Sequence, residues 1–257
     1  MNPILTGIII QARMGSTRLP GKVLKSVCGK PLLYYSVARS ALSKYANIVI
    51  VATTNSEKDD QIVHWCKKNG IAFFRGSEED VLDRYYQAAK EFNLNTVVRV
   101  TSDCPFVDPR IVDMLILILQ NQGLDYVSNR IDKRTWPHGL DVEAVTFETL
   151  EKAWRHATSQ DEREHVTPYI MRHPELFKIL EVPYTEKDLS RIRLTVDYAE
   201  DLEFTTMLME EMMKEWGIEF FWKNVVKALK RKPELSDINR HRIDPVTRDL
   251  MNNSEND

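Results

Sequence analysis

The stretch Gln11-Ala12-Arg13-Met14-Gly15-Ser16-Thr17-Arg18-Leu19-Pro20-Gly21-Lys22 decides how the rest of the chain is read. Before it stands Ile8-Ile9-Ile10, short and β-branched throughout, which suits a buried strand better than a helix. A strand that empties into a loop with two glycines, two arginines and a lysine is suited to hold an anion. Glycine lets backbone N–H groups come close, and the cations bring charge to phosphate oxygens. The loop is not a Walker A. Five residues separate Gly15 from Gly21 where that motif has four, and Val23 takes the place of its magnesium-binding Ser or Thr. No G-x-G-x-x-G is present, which weighs against a dinucleotide site.

Outward from the loop, 31–45 carries a helical stripe of Tyr34, Ala38, Ala41 or Leu42, and Tyr45, with Pro31 in the first turn. A second buried strand is expected at 47–53. Ser56 is then the expected cap, and Asp59 a first-turn acid, of a helix that turns Ile62, Val63 and Cys66 inward and ends at Gly70. A strand at 71–75, a helix at 78–92, a strand at 96–100 and a helix at 109–121 capped by Asp108 follow. This alternation predicts βαβ units, a mainly parallel sheet and helices on both faces. Past 126–129 the pattern loosens into a polar loop at 130–139, a strand at 141–147, a helix at 147–156 and a charged helical segment at 161–172. Strands at 177–184 and 192–196 around a polar turn, helices at 201–216 and 220–230, and a polar tail at 251–257, expected to fray, complete the chain.

Composition narrows the function classes. At 257 residues the chain is one large α/β domain or a core with a small accessory piece. A net charge of −3 argues against a nucleic-acid binder, whose affinity rests on excess Lys and Arg. Cys28, Cys66 and Cys104 are odd in number and lack metal-ligand spacing, so neither zinc nor a disulfide framework is expected. The longest apolar run, Met114-Leu115-Ile116-Leu117-Ile118-Leu119, falls far short of the ~20 residues that span a bilayer. The amino terminus lacks a basic stretch followed by an apolar segment, so no signal peptide and a cytoplasmic location are expected.

Parallel sheets bind ligands at the carboxyl ends of their strands. The loop at Gln11, Thr53-Thr54-Asn55 and Thr101-Ser102-Asp103-Cys104-Pro105 should therefore line one crevice, with Arg75-Gly76-Ser77 at its edge. Asp103, at a strand end, is placed either to hold Mg²⁺ against phosphate oxygens or to form an Asx turn. Asp197 ends Ile192-Arg193-Leu194-Thr195-Val196 and is a second acidic candidate. Glu200 and Asp201 read as first-turn residues favoured by the helix dipole.

The run Ile9-Ile10-Gln11-Ala12-Arg13 through Arg18-Leu19-Pro20-Gly21-Lys22, continued by Gly29-Lys30-Pro31-Leu32, resembles the signature loop of the sugar-nucleotide cytidylyltransferases, in the branch of SpsF-type spore-coat polysaccharide proteins. The stretch from Arg99 to Pro109 is similar to the family's second motif, and that from Ile192 to Leu202 to its late acidic motif, with Ala199 replacing the common Pro. The resemblance spans roughly residues 8–202. It implies a single αβα three-layer nucleotidyltransferase domain, Rossmann-like and GT-A-like, over 1–257. Within it lie a β-rich inserted arm near 130–191 that serves dimerisation and a helical extension at 203–257. The implied reaction moves CMP from CTP to a sugar acid, Kdo-like or nonulosonic-acid-like, for surface polysaccharide synthesis. A glycosyltransferase using a nucleotide-sugar, or a sugar-phosphate or polyol-phosphate acceptor, are the alternatives.

The resemblance further implies nucleotide contacts from Ala12, Arg13, Gly15, Ser16, Arg18, Lys22, Thr53, Asn55, Arg84 and Ser102, with Lys22, Arg13 and Asp103 catalytic. Mg²⁺ would sit on Asp103 and Asp197. Gly139-Leu140-Asp141-Val142-Glu143 and Arg163-Glu164-His165 match segments near the acceptor, so Asp141, Glu143 and His165 are acceptor candidates. A solvated strand face for the two acids and a structural role for the histidine are the plainer readings. Arg84 either reaches the nucleotide or pairs with Asp80 one turn earlier. A homodimer without nucleic-acid or membrane partners is expected.

Overall fold

Ile8, Ile9 and Ile10 are fully buried in β1 (Thr6–Gln11), inside a seven-stranded sheet of the computed structural model, which describes residues 5–242. Helices cover both faces of the sheet, so a strand here needs apolar residues on both sides, and its sequence runs without alternation. Beside β1 lie β4 (Ile48–Thr54) and β6 (Thr96–Thr101), both parallel to it, and β5 (Ala72–Gly76) extends the sheet past β4. From β1 the chain goes one way to β4 and β5, then returns to the other side as β6. That reversal opens a crevice at the carboxyl ends of β1 and β6, the place where open α/β sheets bind ligands.

Between β1 and β4 the chain makes a short hairpin, β2 (Ser26–Val27) and β3 (Lys30–Pro31), and then α1 (Leu32–Ser40). Pro31 is the cap of α1 rather than part of its first turn, and the helix stops before Tyr45. The helices α2 (Asp60–Lys68), α3 (Val81–Glu91) and α4 (Pro109–Gln122) follow β4, β5 and β6 in turn. Asp108 caps α4 through the Arg110 N–H at 2.8 Å, as its place before Pro109 predicts. Gly123 ends α4 with φ of 59°. One apolar core joins α1, α2 and α4 to the sheet, and the other joins α3 to its opposite face.

The second half departs from the reading of 130–191 as a β-rich insert. β7 (Tyr126–Ser128), β8 (Glu143–Thr146) and β9 (Ile179–Glu181) all join the main sheet, in the order β5-β4-β1-β6-β8-β7-β9, with β8 antiparallel to both neighbours. The rest of the regular structure in that stretch is helical: α5 (Phe147–His156), α6 (Gln160–His165) and α7 (Pro168–Arg172). A capping box between Ser159 and Glu162 starts α6, and Val166 with φ of 74° separates it from α7, splitting the single helix expected at 161–172. Residues 192–196 are not a ladder strand. Their N–H groups go instead to the carbonyls of His138 (from Leu194, 2.6 Å) and Asp103 (from Val196, 2.9 Å). α8 (Ala199–Trp216), α9 (Trp222–Arg231) and α10 (Glu234–Asp237) follow, a short helical turn at Arg240–Arg242 ends the described residues, and the tail at 251–257 lies outside them.

Arg39 ties the late helices to the early core. Fully buried, its guanidinium donates to the carbonyls of Val107, Ile218 and Phe220 at 2.7–3.0 Å and stacks over the Phe220 ring. Burial lowers its pKa to about 9, against the pull of Asp108. A second tie is backbone to backbone. Gly139 has φ of 99°, and a Cβ there would lie 2.7 Å from the Leu194 carbonyl carbon and the Thr195 nitrogen. Gly139→Ala is expected to cost at least about 2 kcal/mol, read as a drop in melting temperature of roughly 4 °C or more. A melt unchanged within a degree would disprove the close approach.

Candidate active site

The loop after β1 folds back on itself: the Met14 carbonyl accepts the N–H groups of Ser16 (2.9 Å) and Gly21 (3.1 Å). Gly21, at φ of 67°, turns the chain so that Lys22 points beneath the loop. The loop hangs from Asp59, a residue whose site role the sequence did not reveal. One Asp59 oxygen accepts the Met14 N–H at 2.7 Å, and the other takes both threonine hydroxyls of Thr53 and Thr54 and the Thr54 N–H. Asp59 does lie in the first turn after Ser56, but it is 2% exposed and faces back toward the strand end. Ser56 makes no side-chain cap bond.

Below the loop, three segments meet. The Lys22 ammonium lies 2.7 Å from Asp103 Oδ2, 3.0 Å from Asp197 Oδ1 and 2.8 Å from the Val196 carbonyl. All three of its N–H bonds thus end on protein acceptors. Burial works against the ammonium, but Asp103 and Asp197 outweigh it and raise its pKa. Asp197 is also bonded by Arg18 (2.7 Å) and Arg193 (2.8 Å). Burial would raise its pKa, yet Lys22, with Arg18 and Arg193, holds it down at about 2. The other Asp103 oxygen accepts the Thr101 hydroxyl at 2.5 Å. Burial, reinforced by the Asp103 charge, pushes the adjacent Cys104 thiol well up, which leaves it protonated and no nucleophile.

This cluster floors a cleft of about 970 Å³. One wall is the loop, with Ala12, Arg13, Ser16 and Arg18; Thr101 and Ser102 join the floor. The far wall carries Glu78, Glu79, Asp80 and Arg84, and α6 adds Arg163 and His165. Of the residues singled out in the sequence, Ala12, Arg13, Ser16, Arg18, Lys22, Arg84, Ser102, Asp103, His165 and Asp197 line this one cleft. Arg84 does not pair with Asp80: its Nη1 donates to the Ser77 carbonyl, its buried Nε has no partner, and burial lowers its pKa. Asp80 instead caps α3 and binds the Arg163 guanidinium.

Five expected residues lie off the cleft wall. Gly15 is exposed in the loop, where an added Cβ would meet the Glu78 carboxylate at 3.2 Å. Thr53 is buried against Asp59, and Asn55 is exposed beyond the strand end. Asp141 and Glu143 are not a solvated strand face either, since each is paired with an arginine, Arg134 (2.6 Å) and Arg99 (3.1 Å).

Among the described residues no group of three or more His, Cys, Asp or Glu is placed to hold a metal by itself. Asp103 and Asp197 still fit Mg²⁺, which is commonly bound by one or two carboxylates with substrate phosphates completing the shell. That both already converge on one cation shows that the pair accepts positive charge there.

Residues 7–228 match the family model described as cytidylyltransferase. The chain belongs to the cytidylyltransferase family. This makes it a nucleotidyltransferase that uses CTP. It is 39% identical to the spore coat polysaccharide biosynthesis protein SpsF of Bacillus subtilis, over 82% of this chain and 88% of that one. A cytidylyltransferase structure from Leptospira borgpetersenii superposes with a TM-score of 0.84 at 37% identity, over 91% of this chain and 97% of that chain. The 3-deoxy-manno-octulosonate cytidylyltransferase of Brucella suis is 35% identical over 121 residues, 46% of this chain and 47% of its own.

The Asp141–Arg134 pair sets an acid dependence. Burial would raise the Asp141 pKa, but Arg134 overrides it and the net shift is downward. A carboxylate with a lowered folded pKa adds stability above its unfolded pKa of about 3.9 and loses it as pH falls through the folded value. Asp141→Asn is therefore expected to cost about 2 kcal/mol at pH 6. In urea melts the gap to the parent protein should hold down to about pH 4 and close below it. A gap independent of pH would rule the pair out as its source.

Proposed function

We propose that the enzyme transfers CMP from CTP to a hydroxyl of a sugar acid in the cytoplasm, releasing pyrophosphate, for surface polysaccharide synthesis. The observation that carries this reading is the Lys22 ammonium shared by Asp103 and Asp197 beneath a cationic loop. The acceptor class follows the relatives, one bearing the name of a sugar-acid cytidylyltransferase and the other that of a surface polysaccharide protein. In the reaction the acceptor oxygen forms a bond to the α-phosphorus as the bond to the β-phosphate bridging oxygen breaks. Pyrophosphate leaves with that electron pair, and the hydroxyl proton goes to solvent or a nearby base. Little covalent work falls to the protein, so positioning and charge dominate.

Arg13 and Arg18 line the cleft where a triphosphate tail would meet the loop N–H groups, with Ser16 beside them. Arg84 and Ser102 are assigned to the nucleoside end. A triphosphate that engages Lys22 must draw it from at least one of its present acceptors, because its donors are all in use. Asp103 and Asp197 would hold Mg²⁺. Bound there, the ion would neutralise charge on phosphate and acidify the attacking hydroxyl. His165, exposed at the cleft rim, is the acceptor-side residue in this assignment. A homodimer is part of the proposal, and a monomer mass by light scattering would remove it.

Titration calorimetry with CTP, UTP and GTP, each with Mg²⁺, should show selective binding of CTP. Sugar acids should then release pyrophosphate, and release of a free nucleotide from a nucleotide-sugar instead would overturn the assignment. Lys22→Ala and Asp103→Asn are each expected to lower turnover about a hundredfold or more. Near-normal turnover in either variant removes that residue from the chemistry.

A further inference from the structure

The family match ends at residue 228, and the proposed chemistry assigns no task to the residues beyond it. Asn239 nevertheless lies in the foundations of the site. It is 2% exposed, and its Nδ2 donates to Asp201 Oδ1 at 3.0 Å and to the Arg193 carbonyl at 3.2 Å. Asp201 is fully buried. Its oxygens also accept Arg193 Nε (2.8 Å), Arg193 Nη2 (2.9 Å) and the backbone N–H groups of Asp197 and Tyr198 (both 3.0 Å).

Arg193 Nη2 bonds Asp197 Oδ2 as well, at 2.8 Å. Asp197 is therefore fixed twice by one carboxylate, through its own N–H and through Arg193. With Oδ2 held by Arg193, Asp197 turns Oδ1 toward Lys22 and Arg18. A second contact from the same segment supports this corner: Arg242 bonds Glu200 at 2.9 Å and lies 4.1 Å over the Tyr198 ring.

We propose that Asn239 is a positioning residue for Asp197, so that the segment after α10 completes the floor of the active site. The inference rests on the role given above to Asp197. Removing the amide leaves Asp201 Oδ1 bonded to Arg193 Nε alone and frees the Arg193 backbone, so the guanidinium that aims Asp197 loses its fixed seat. Misplacing a reacting group by a fraction of an ångström lowers turnover while leaving the binding of remote substrate parts intact.

The test uses the full chain carrying Asn239→Ala, with Asn239→Ser, which keeps one donor, as the conservative variant. Expected for Asn239→Ala are a kcat lowered on the order of tenfold with KM for CTP nearly unchanged. Mn²⁺ binding in the presence of CTP without acceptor, followed by electron paramagnetic resonance, should weaken by roughly tenfold. Asn239→Ser should recover part of both. An Asn239→Ala protein that melts earlier yet keeps parental kcat and Mn²⁺ affinity overturns the inference. If Asn239→Ala does not fold, Asn239→Ser carries the same readouts. Asp197→Asn separates the two levels: if it too leaves turnover and Mn²⁺ affinity unchanged, the role of Asp197 fails rather than that of Asn239.

Discussion

An ammonium held between two carboxylates from distant parts of the chain is the constraint on which this site depends. Lys22, Arg18 and Arg193 face Asp103, Asp197 and Asp201, so the cations and anions balance in a largely buried cluster. Taking such charges out of water is costly, and removing one partner leaves the others uncompensated. The loop after β1, the turn after β6 and the start of α8 must therefore be brought to one point together. The Val196 N–H on the Asp103 carbonyl joins the last two by backbone, and the Lys22 and Arg18 side chains bring in the loop.

The cleft lining carries both signs of charge. Its loop wall carries Arg13 and Arg18, whereas its far wall begins with Glu78 and Glu79. Asp80 on that wall is neutralised by Arg163. Arg84 on that same wall interacts with both Arg13 and Glu78, so a polyanion entering the cleft meets both signs there. Gly15 keeps the two walls near each other, since a side chain there would press on Glu78.

Much of the first half was legible because its signals are local. Three consecutive isoleucines, a loop with a fixed order of Gly, Arg and Lys, and an Asp-Pro cap each announce themselves within a few residues. The misses share another cause. Nothing in Glu143-Ala144-Val145-Thr146 records that β8 runs against its neighbours, because strand direction is set by partners. Asp141 and Glu143 read as acceptor contacts or as a solvated face, and neither reading shows the Arg134 and Arg99 that stand opposite them. Asp59 occupies the expected helical turn, yet its task depends on the Met14 N–H, 45 residues away. Arg193 and Asp201 look like an ordinary strand residue and an ordinary helix-start acid. Only their shared burial gives them away.

The way the cluster draws on sequence has a bearing on how the protein is made. The β1, β4, β5 and β6 segments come first in the chain, and β1 pairs with β6 with Thr6 opposite Thr96. Lys22 and Asp103 belong to the loops of those segments, whereas Arg193, Asp197 and Asp201 lie far beyond them in sequence. A chain ending before Arg193 would thus carry the crevice residues of the first half without the groups that complete its floor. With Arg193, Asp197 and Asp201 beyond α7, and Asn239 beyond α10, the whole cluster can form only in a chain that extends past residue 239.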